Sequence, residues 1–226
     1  SPSGGDAVVV LAVLLPVVFG ALLLLGLPRA LGVLGAGLSF LLNLYLFLTH
    51  PGGVAHAFQA PLLPGAGVYW AFGLDGLSAL FFLTIALAVF LGALVARVEG
   101  RFLGLALLME GLLLGLFAAR DLLVFYVFFE AALIPALLIL PLYGGEGRTR
   151  ALYTFVLSTL VGSLPMLAAV LGARLLSGSP TFLLEDLLAH PLQEEAAFWV
   201  FLGFALAFAI KTPLFPLPAW LPPFPQ

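Results

Sequence analysis

Apolar residues along this chain come as near-continuous runs rather than at helix or strand spacing, and the runs are separated by short polar or Gly/Pro links. Helices that are apolar all round belong in lipid, where about 20 residues cross the hydrocarbon core. The runs predict a first span from Ala7 to about Leu27 and a second from about Ala30 to Leu48. A third is expected from about Leu74 to Ala96, a fourth from Phe102 to Ala118, a fifth from Leu122 to Leu140 and a sixth from about Ala151 to Leu176.

The links carry their own signals. His50 to Trp70 is rich in Gly and Pro and reads as a loop. Asp75, with Ser78, reads as the start of the third helix, where a carboxylate meets free N–H groups. Ala119, Arg120 and Asp121 form a link so short that spans four and five must be antiparallel neighbours. Ser179 to Leu188 has a Ser cap and Pro180 at the first helical position, which predicts a short interfacial helix. Ala196 to Ile210 makes a half-span ending in Lys211. Prolines at 213, 216, 218, 222, 223 and 225 follow, each without an N–H donor, so no regular spanning helix continues there. Ser1 to Asp6 lacks a starting Met and is expected to be an expression scar or short outer tail, outside the fold. Residues 1–226 are thus expected to form a single membrane domain. Its class is all-α, a polytopic transmembrane helical bundle of about six full spans plus a broken seventh helix.

Composition sharpens the class. The chain is 63% apolar and 8% charged, with a mean hydropathy of +1.23. A soluble domain has roughly 45–50% apolar and 25% charged residues, so a separate soluble catalytic domain does not fit. With no cysteine and three scattered histidines there is no thiolate, haem or metal-ligand spacing. No cofactor and no metal are expected, and redox chemistry must occur elsewhere. The net charge of −3 is dispersed and includes no basic tract, so nucleic acid is not a partner. Arg29, Arg97, Arg101, Arg148 and Arg150 fall on one side of the predicted topology, whereas Arg120 and Arg174 fall on the other. The positive-inside rule then puts the N-terminus outside the cytoplasm.

Against this apolar background three ionisable residues stand out. Glu130 lies inside the fifth run, where a carboxylate costs about 2.5–3.5 kcal/mol on insertion scales. At ~1.5 Å per residue it is about 13 Å from Asp121, roughly half of a ~30 Å core. Glu110 is about 12 Å into span four from the other side, so the two acids could share a level in adjacent antiparallel helices. Carboxylates that close do not both ionise readily. Lys211 supplies the opposite sign. A lysine near Glu130 holds it ionised, and a lysine moved away lets it take a proton, which makes the pair a two-state switch. Pro135 leaves the Ala131 carbonyl without its usual donor and predicts a kink. Such freed backbone groups survive at membrane depth only beside protein or water.

Structural roles compete with these. Either acid could be the partner of a Ser, Tyr or Arg on another helix. Lys211 could snorkel to the interface, and Arg174 reads as an interfacial anchor. His50, His56 and His190 lie in links and read as solvated.

Three ordered motifs carry a resemblance that covers almost the whole chain. They are Phe72-Gly-Leu-Asp-Gly-Leu-Ser78, Asp121-Leu-Leu-Val-Phe-Tyr-Val-Phe-Phe-Glu-Ala-Ala-Leu-Ile-Pro135, and Ile210-Lys-Thr-Pro-Leu-Phe-Pro216 followed by Ala219-Trp-Leu-Pro222. Together they resemble the antiporter-like membrane subunits of respiratory complex I, of the NuoM type (chain M or 13 of NADH:quinone oxidoreductase). Related subunits serve in sodium/proton antiporters and membrane-bound hydrogenases. The resemblance implies a fold of fourteen helices built on two inverted five-helix repeats, of which this chain supplies the first seven. It implies that Glu130 is the acid of the fifth helix, Lys211 the lysine of the broken seventh helix and Glu110 an acid of the fourth. Pro213 and Pro216 would make the helix break.

The function implied is proton translocation through a half-channel by the Glu130/Lys211 switch. Quinone reduction in partner membrane subunits would drive it, in the cytoplasmic membrane of a bacterium. The oxidoreductase chemistry would belong to the complex, with none in this chain. A sodium/proton antiporter subunit is the alternative ion reading. The family usually has His where Pro218 and Pro225 stand, a departure that favours a third reading, an engineered or truncated structural module without transport.

Overall fold

The computed structural model describes residues 4–139 and 148–211, which fall into two compact units divided between Pro135 and Ala136. The first unit holds β1 (Gly4–Gly5), α1 (Val8–Leu24), α2 (Arg29–Leu48), β2 (Ala55–Leu63), β3 (Val68–Leu74), α3 (Gly76–Val95), α4 (Gly100–Ala118) and α5 (Leu122–Ala131). After a turn at Ala132 the chain continues as α6 (Leu133–Ile139). The second unit contains α7 (Arg148–Ser177), α8 (Leu184–Ala189) and α9 (Glu194–Lys211).

The chain is a polytopic helical membrane bundle, and each predicted span coincides with a helix to within a few residues, except the fifth, which is broken at Ala132 into α5 and α6. By length and composition α2, α3, α4 and residues 152–177 of α7 can each cross a membrane, and α1 and residues 122–138 are shorter apolar stretches. Large apolar side chains such as Leu11, Leu25, Leu48 and Val95 point outward, as lipid-facing surface requires.

Small residues let the helices of the first unit close on one another. A Cβ at Gly20 of α1 would stand 2.7 Å from the Gly104 carbonyl oxygen of α4. One at Gly111 would meet the Val13 carbonyl oxygen at 2.9 Å. On α2, Gly32 faces Leu23 and Leu103, and Gly35 faces Phe19. Below them Leu23, Ala36, Ala93, Leu103 and Leu107 form a buried apolar cluster. In the second unit α9 lies along α7, with Gly203 against Ala169 and the Pro165 carbonyl.

Both ends of the first unit are tied by polar contacts. At one end the Arg29 guanidinium donates to the carbonyls of Ala93, Ala96 and Val98 at 2.7–2.9 Å, neutralising the unpaired carbonyls at the end of α3. At the other, the Asp75 carboxylate accepts from the Ser78 N–H at 2.7 Å as the expected cap of α3. Hydrogen bonds to Ser78 and Leu77, with the Arg120 charge, hold that carboxyl below its ordinary range.

Three expectations are corrected. The stretch from His50 to Trp70 is not a loop: β2 and β3 pair antiparallel around a tight turn at Pro64–Ala66. Of the stretch Ser1 to Asp6, the described residues Gly4 to Asp6 are not outside the fold, because Gly4 and Gly5 pair with Gln59 and Phe58 and Asp6 N–H donates to the Ala57 carbonyl. The short helix after Ser179 begins only at Leu184, since the Ser179 hydroxyl accepts from Thr181 N–H and the Thr181 hydroxyl from Leu183 N–H, forming local turns instead. The histidines keep at least partial exposure, as expected, and each also makes a hydrogen bond. His50 Nδ1 accepts from Gly52 N–H, which leaves Nε2 as the donor to the Leu74 carbonyl at 2.6 Å, while His56 pairs with Asp6 and His190 with the Asp186 carbonyl.

Candidate functional site

Ser39 and Asn43 sit one turn apart on α2 and so share a face of an otherwise apolar helix. Glu110 sits mid-way along α4, and all three residues are at most 1% exposed. The Ser39 hydroxyl donates to Glu110 Oε2 at 2.6 Å. Asn43 Nδ2 donates to the Ser39 carbonyl at 2.8 Å and lies 3.3 Å from Ser39 Oγ. A continuous polar chain thus runs from Asn43 through Ser39 to Glu110. It ends at Asn43 Oδ1 and Glu110 Oε1, two buried oxygens with no hydrogen-bond partner among the described residues. Leaving such a group unpaired costs about 1–3 kcal/mol, more for a charge.

Packing seals this chain off from lipid. Gly111, next to Glu110, admits α1, with Val17 pressed against it, and Gly115 one turn on admits the ring of Phe128 from α5. Phe128 in turn meets Phe72 of β3 edge-on at 5.8 Å.

Asp121 anchors the start of α5. It is 0% exposed, and its Oδ1 accepts from Leu123 and Val124 N–H at 2.9 and 3.0 Å while Oδ2 accepts from Tyr69 N–H at 2.9 Å. This carboxylate caps α5 and locks it to β3, so the direction in which α5 carries Glu130 is set at the hairpin.

Glu130 lies part-buried in the last turn of α5, one turn after Tyr126. The helix is interrupted two residues later, at Ala132, and Pro135 is buried as the third residue of α6. Lys211 is the last residue of α9, in the second unit. Pro213, Pro216, Pro218 and Pro225 lie outside the described residues. The hydrogen bond of Glu110 thus runs to a serine on another helix, the kind of structural partner the sequence allowed for either acid, without pointing to Ser39 itself. Ser39 and Asn43 were missed, although two polar residues four apart in an apolar run were the available signal.

The chain as a whole has close counterparts among known proteins. A family model described as NADH:quinone oxidoreductase/Mrp antiporter, TM, matches residues 119–224. Over 218 residues, 96% of its length, the chain is 97% identical to NADH-quinone oxidoreductase subunit 13 of Thermus thermophilus. The chain belongs to the NADH:quinone oxidoreductase/Mrp antiporter membrane family. Membership of this antiporter-like family agrees with a solved structure of respiratory complex I from Thermus thermophilus with bound NADH. One chain there matches at a TM-score of 0.88 and 98% identity, with 96% of this chain and 46% of that one covered. A structure of the Mrp complex from Dietzia sp. shares the fold at a TM-score of 0.74, with 24% identity and 90% and 23% of the two chains covered. The antiporter-like chain spans about half the length of its Thermus relative, 46% of it.

Proposed function

We propose that this chain is the N-terminal part of a proton-translocating antiporter-like subunit, supplying the first seven helices of a fourteen-helix fold. Its partners are the other membrane subunits of a respiratory NADH:quinone oxidoreductase, in the cytoplasmic membrane of a bacterium with the N-terminus outside. A proton moves through a half-channel by way of Glu130, Lys211 and Glu110. When Lys211 is close, Glu130 stays ionised; when Lys211 withdraws, Glu130 takes the proton. Pro135, Pro213 and Pro216 would interrupt the helices beside these groups and open backbone to water.

The observation that carries this reading is Glu110. A carboxyl group 1% exposed inside a lipid-crossing helix, with a single serine hydroxyl as its partner among the described residues, does not serve as the anchor of an ion pair. A group so placed is kept for what it can bind and release. Within the full-length subunit in its complex, Glu130→Gln is expected to abolish most proton pumping and leave assembly intact, because the amide keeps volume and hydrogen bonding but holds no charge. Unchanged pumping in an assembled complex would reduce Glu130 to a structural residue. Sodium/proton exchange is the second reading, favoured by the Mrp antiporters that the matching family model includes. Ion flux that vanishes without sodium would select it.

A further inference from the structure

An ionised carboxylate can only accept, so a hydroxyl bonded to it has one way to turn. Ser39 Oγ, 2.6 Å from Glu110 Oε2, gives its hydrogen to the acid whenever Glu110 is charged. A protonated carboxyl leaves two arrangements. In one the proton sits on Oε1 and Ser39 goes on donating to Oε2. In the other it sits on Oε2, the bond reverses, and the Ser39 hydrogen must leave the carboxyl altogether.

Asn43 separates the two. Its Nδ2 donates to the Ser39 carbonyl at 2.8 Å, and reversing the amide would set Oδ1 against that carbonyl, an acceptor against an acceptor. The same Nδ2 lies 3.3 Å from Ser39 Oγ and so approaches the hydroxyl as a donor. A donation into Oγ takes up one of its lone pairs and polarises its own O–H towards the next acceptor, which strengthens the bond to Oε2. It also competes with any carboxyl O–H that would arrive at Oγ. All three residues are at most 1% exposed, so bulk water offers the displaced Ser39 hydrogen no other acceptor. Glu110 Oε1, in contrast, has no hydrogen-bond partner among the described residues and its lone pairs are free.

We propose that Ser39 and Asn43 are positioning residues that keep Glu110 Oε2 a hydrogen-bond acceptor in both charge states and so direct the proton of the acid to Oε1. Uptake forms an O–H bond at Oε1 and removes the charge; release breaks the same bond and restores it. The Ser39 O–H bond stays intact throughout, so Ser39 orients the acid without relaying its proton. Glu110 thus exchanges at one oxygen, the one Ser39 does not touch. The use of this arrangement in transport rests on the proton route proposed above, whereas the arrangement itself stands apart from it.

Infrared difference spectroscopy between acidic and alkaline buffer tests this on the full-length subunit in its complex. The carbonyl stretch of protonated Glu110 is the band missing in Glu110→Gln. With Oε2 as the carbonyl oxygen and Ser39 bonded to it, the band should be single. It should move to higher frequency in Ser39→Ala, which removes the donor, and return to its place in Ser39→Thr. Asn43→Leu frees Oγ to accept, so there the band should split in two as the reversed bond becomes populated.

A band that stays in place in Ser39→Ala overturns the proposal, as does a single unsplit band in Asn43→Leu or the absence of any band that Glu110→Gln removes. Should Ser39→Ala fail to assemble, Ser39→Cys keeps nearly the same volume with a weaker donor and is expected to move the band the same way, less far. Because none of these readings depends on pumping, a failed Glu130→Gln test would leave them standing.

Discussion

Ser39 and Glu110 join α2 to α4 through a hydrogen bond of 2.6 Å in the interior of the first unit, where both side chains are almost completely buried. This bond couples the acid to the face of α2 that also carries Asn43. Glu110 is therefore part of a polar chain that links two helices, and a change at one helix is felt at the other.

The tight seam between α1 and α4 predicts a steric contrast. Gly111→Ala would place a methyl against Val17 and the Val13 carbonyl, and overpacking of this kind costs about 1–3 kcal/mol. Gly92 of α3 has nothing within 4 Å of its would-be Cβ, so Gly92→Ala should instead gain about 0.5–1 kcal/mol of helix stability. Unfolding of the purified subunit in detergent checks both signs. Equal effects at the two positions would contradict the packing.

Removing the Asp121 carboxylate should loosen the hairpin from α5. Asp121→Ala strands the N–H groups of Leu123, Val124 and Tyr69, and a hydrogen bond to a charged group is worth about 1.5–3 kcal/mol. A loss of at least about 2 kcal/mol is expected, with Asp121→Asn recovering part of it. Hydrogen exchange at the three amides is the check. Protection that survives in Asp121→Ala would show that the clamp is not needed.

Acid should release the N-terminal strand. The hydrogen bond with His56, then that from Val8 N–H, holds the Asp6 carboxyl below its ordinary value of 3.8. A lowered folded value means that this contribution is fully present above the ordinary value and is lost as pH falls through the lowered one. Protection of the Asp6 and Val8 amides, corrected for intrinsic exchange, should therefore drop between about pH 5 and pH 2, and Asp6→Asn should abolish the drop. A flat profile would contradict the latch.

Much of this was legible in the sequence because lipid demands it. Uninterrupted apolar runs marked the helices, and the Asp75 cap was legible from a carboxylate three residues before Ser78. The hairpin was not. Register shifts between Ala55 and Phe58 and between Pro61 and Leu63 break the two-residue alternation, so its Gly and Pro dominated the reading. Gly4 to Asp6 gained structure only from a strand some fifty residues away, a contact no local signal announces. At the site the acids were visible as charges in apolar runs. Ser39 and Asn43 carry no charge, and their importance appears only once α4 is seen against α2.

Topology follows from the arginines. The chain has no cysteine, so single cysteines at Arg148 and at Gly65, in the turn of the hairpin, can be labelled cleanly. The two should label from opposite faces of the membrane, Arg148 from the cytoplasm. Labelling of both from one face would refute the span order.

Whether acid and base act as one switch is decided by a double-mutant cycle in the full-length subunit within its complex. Proton pumping is measured for Glu130→Gln, Lys211→Met and the combination, each checked for assembly. Groups that set one another's charge state are strongly non-additive, so the double variant should pump about as poorly as either single one. Losses that simply multiply would show that Glu130 and Lys211 act independently, and the proposed switch would be wrong.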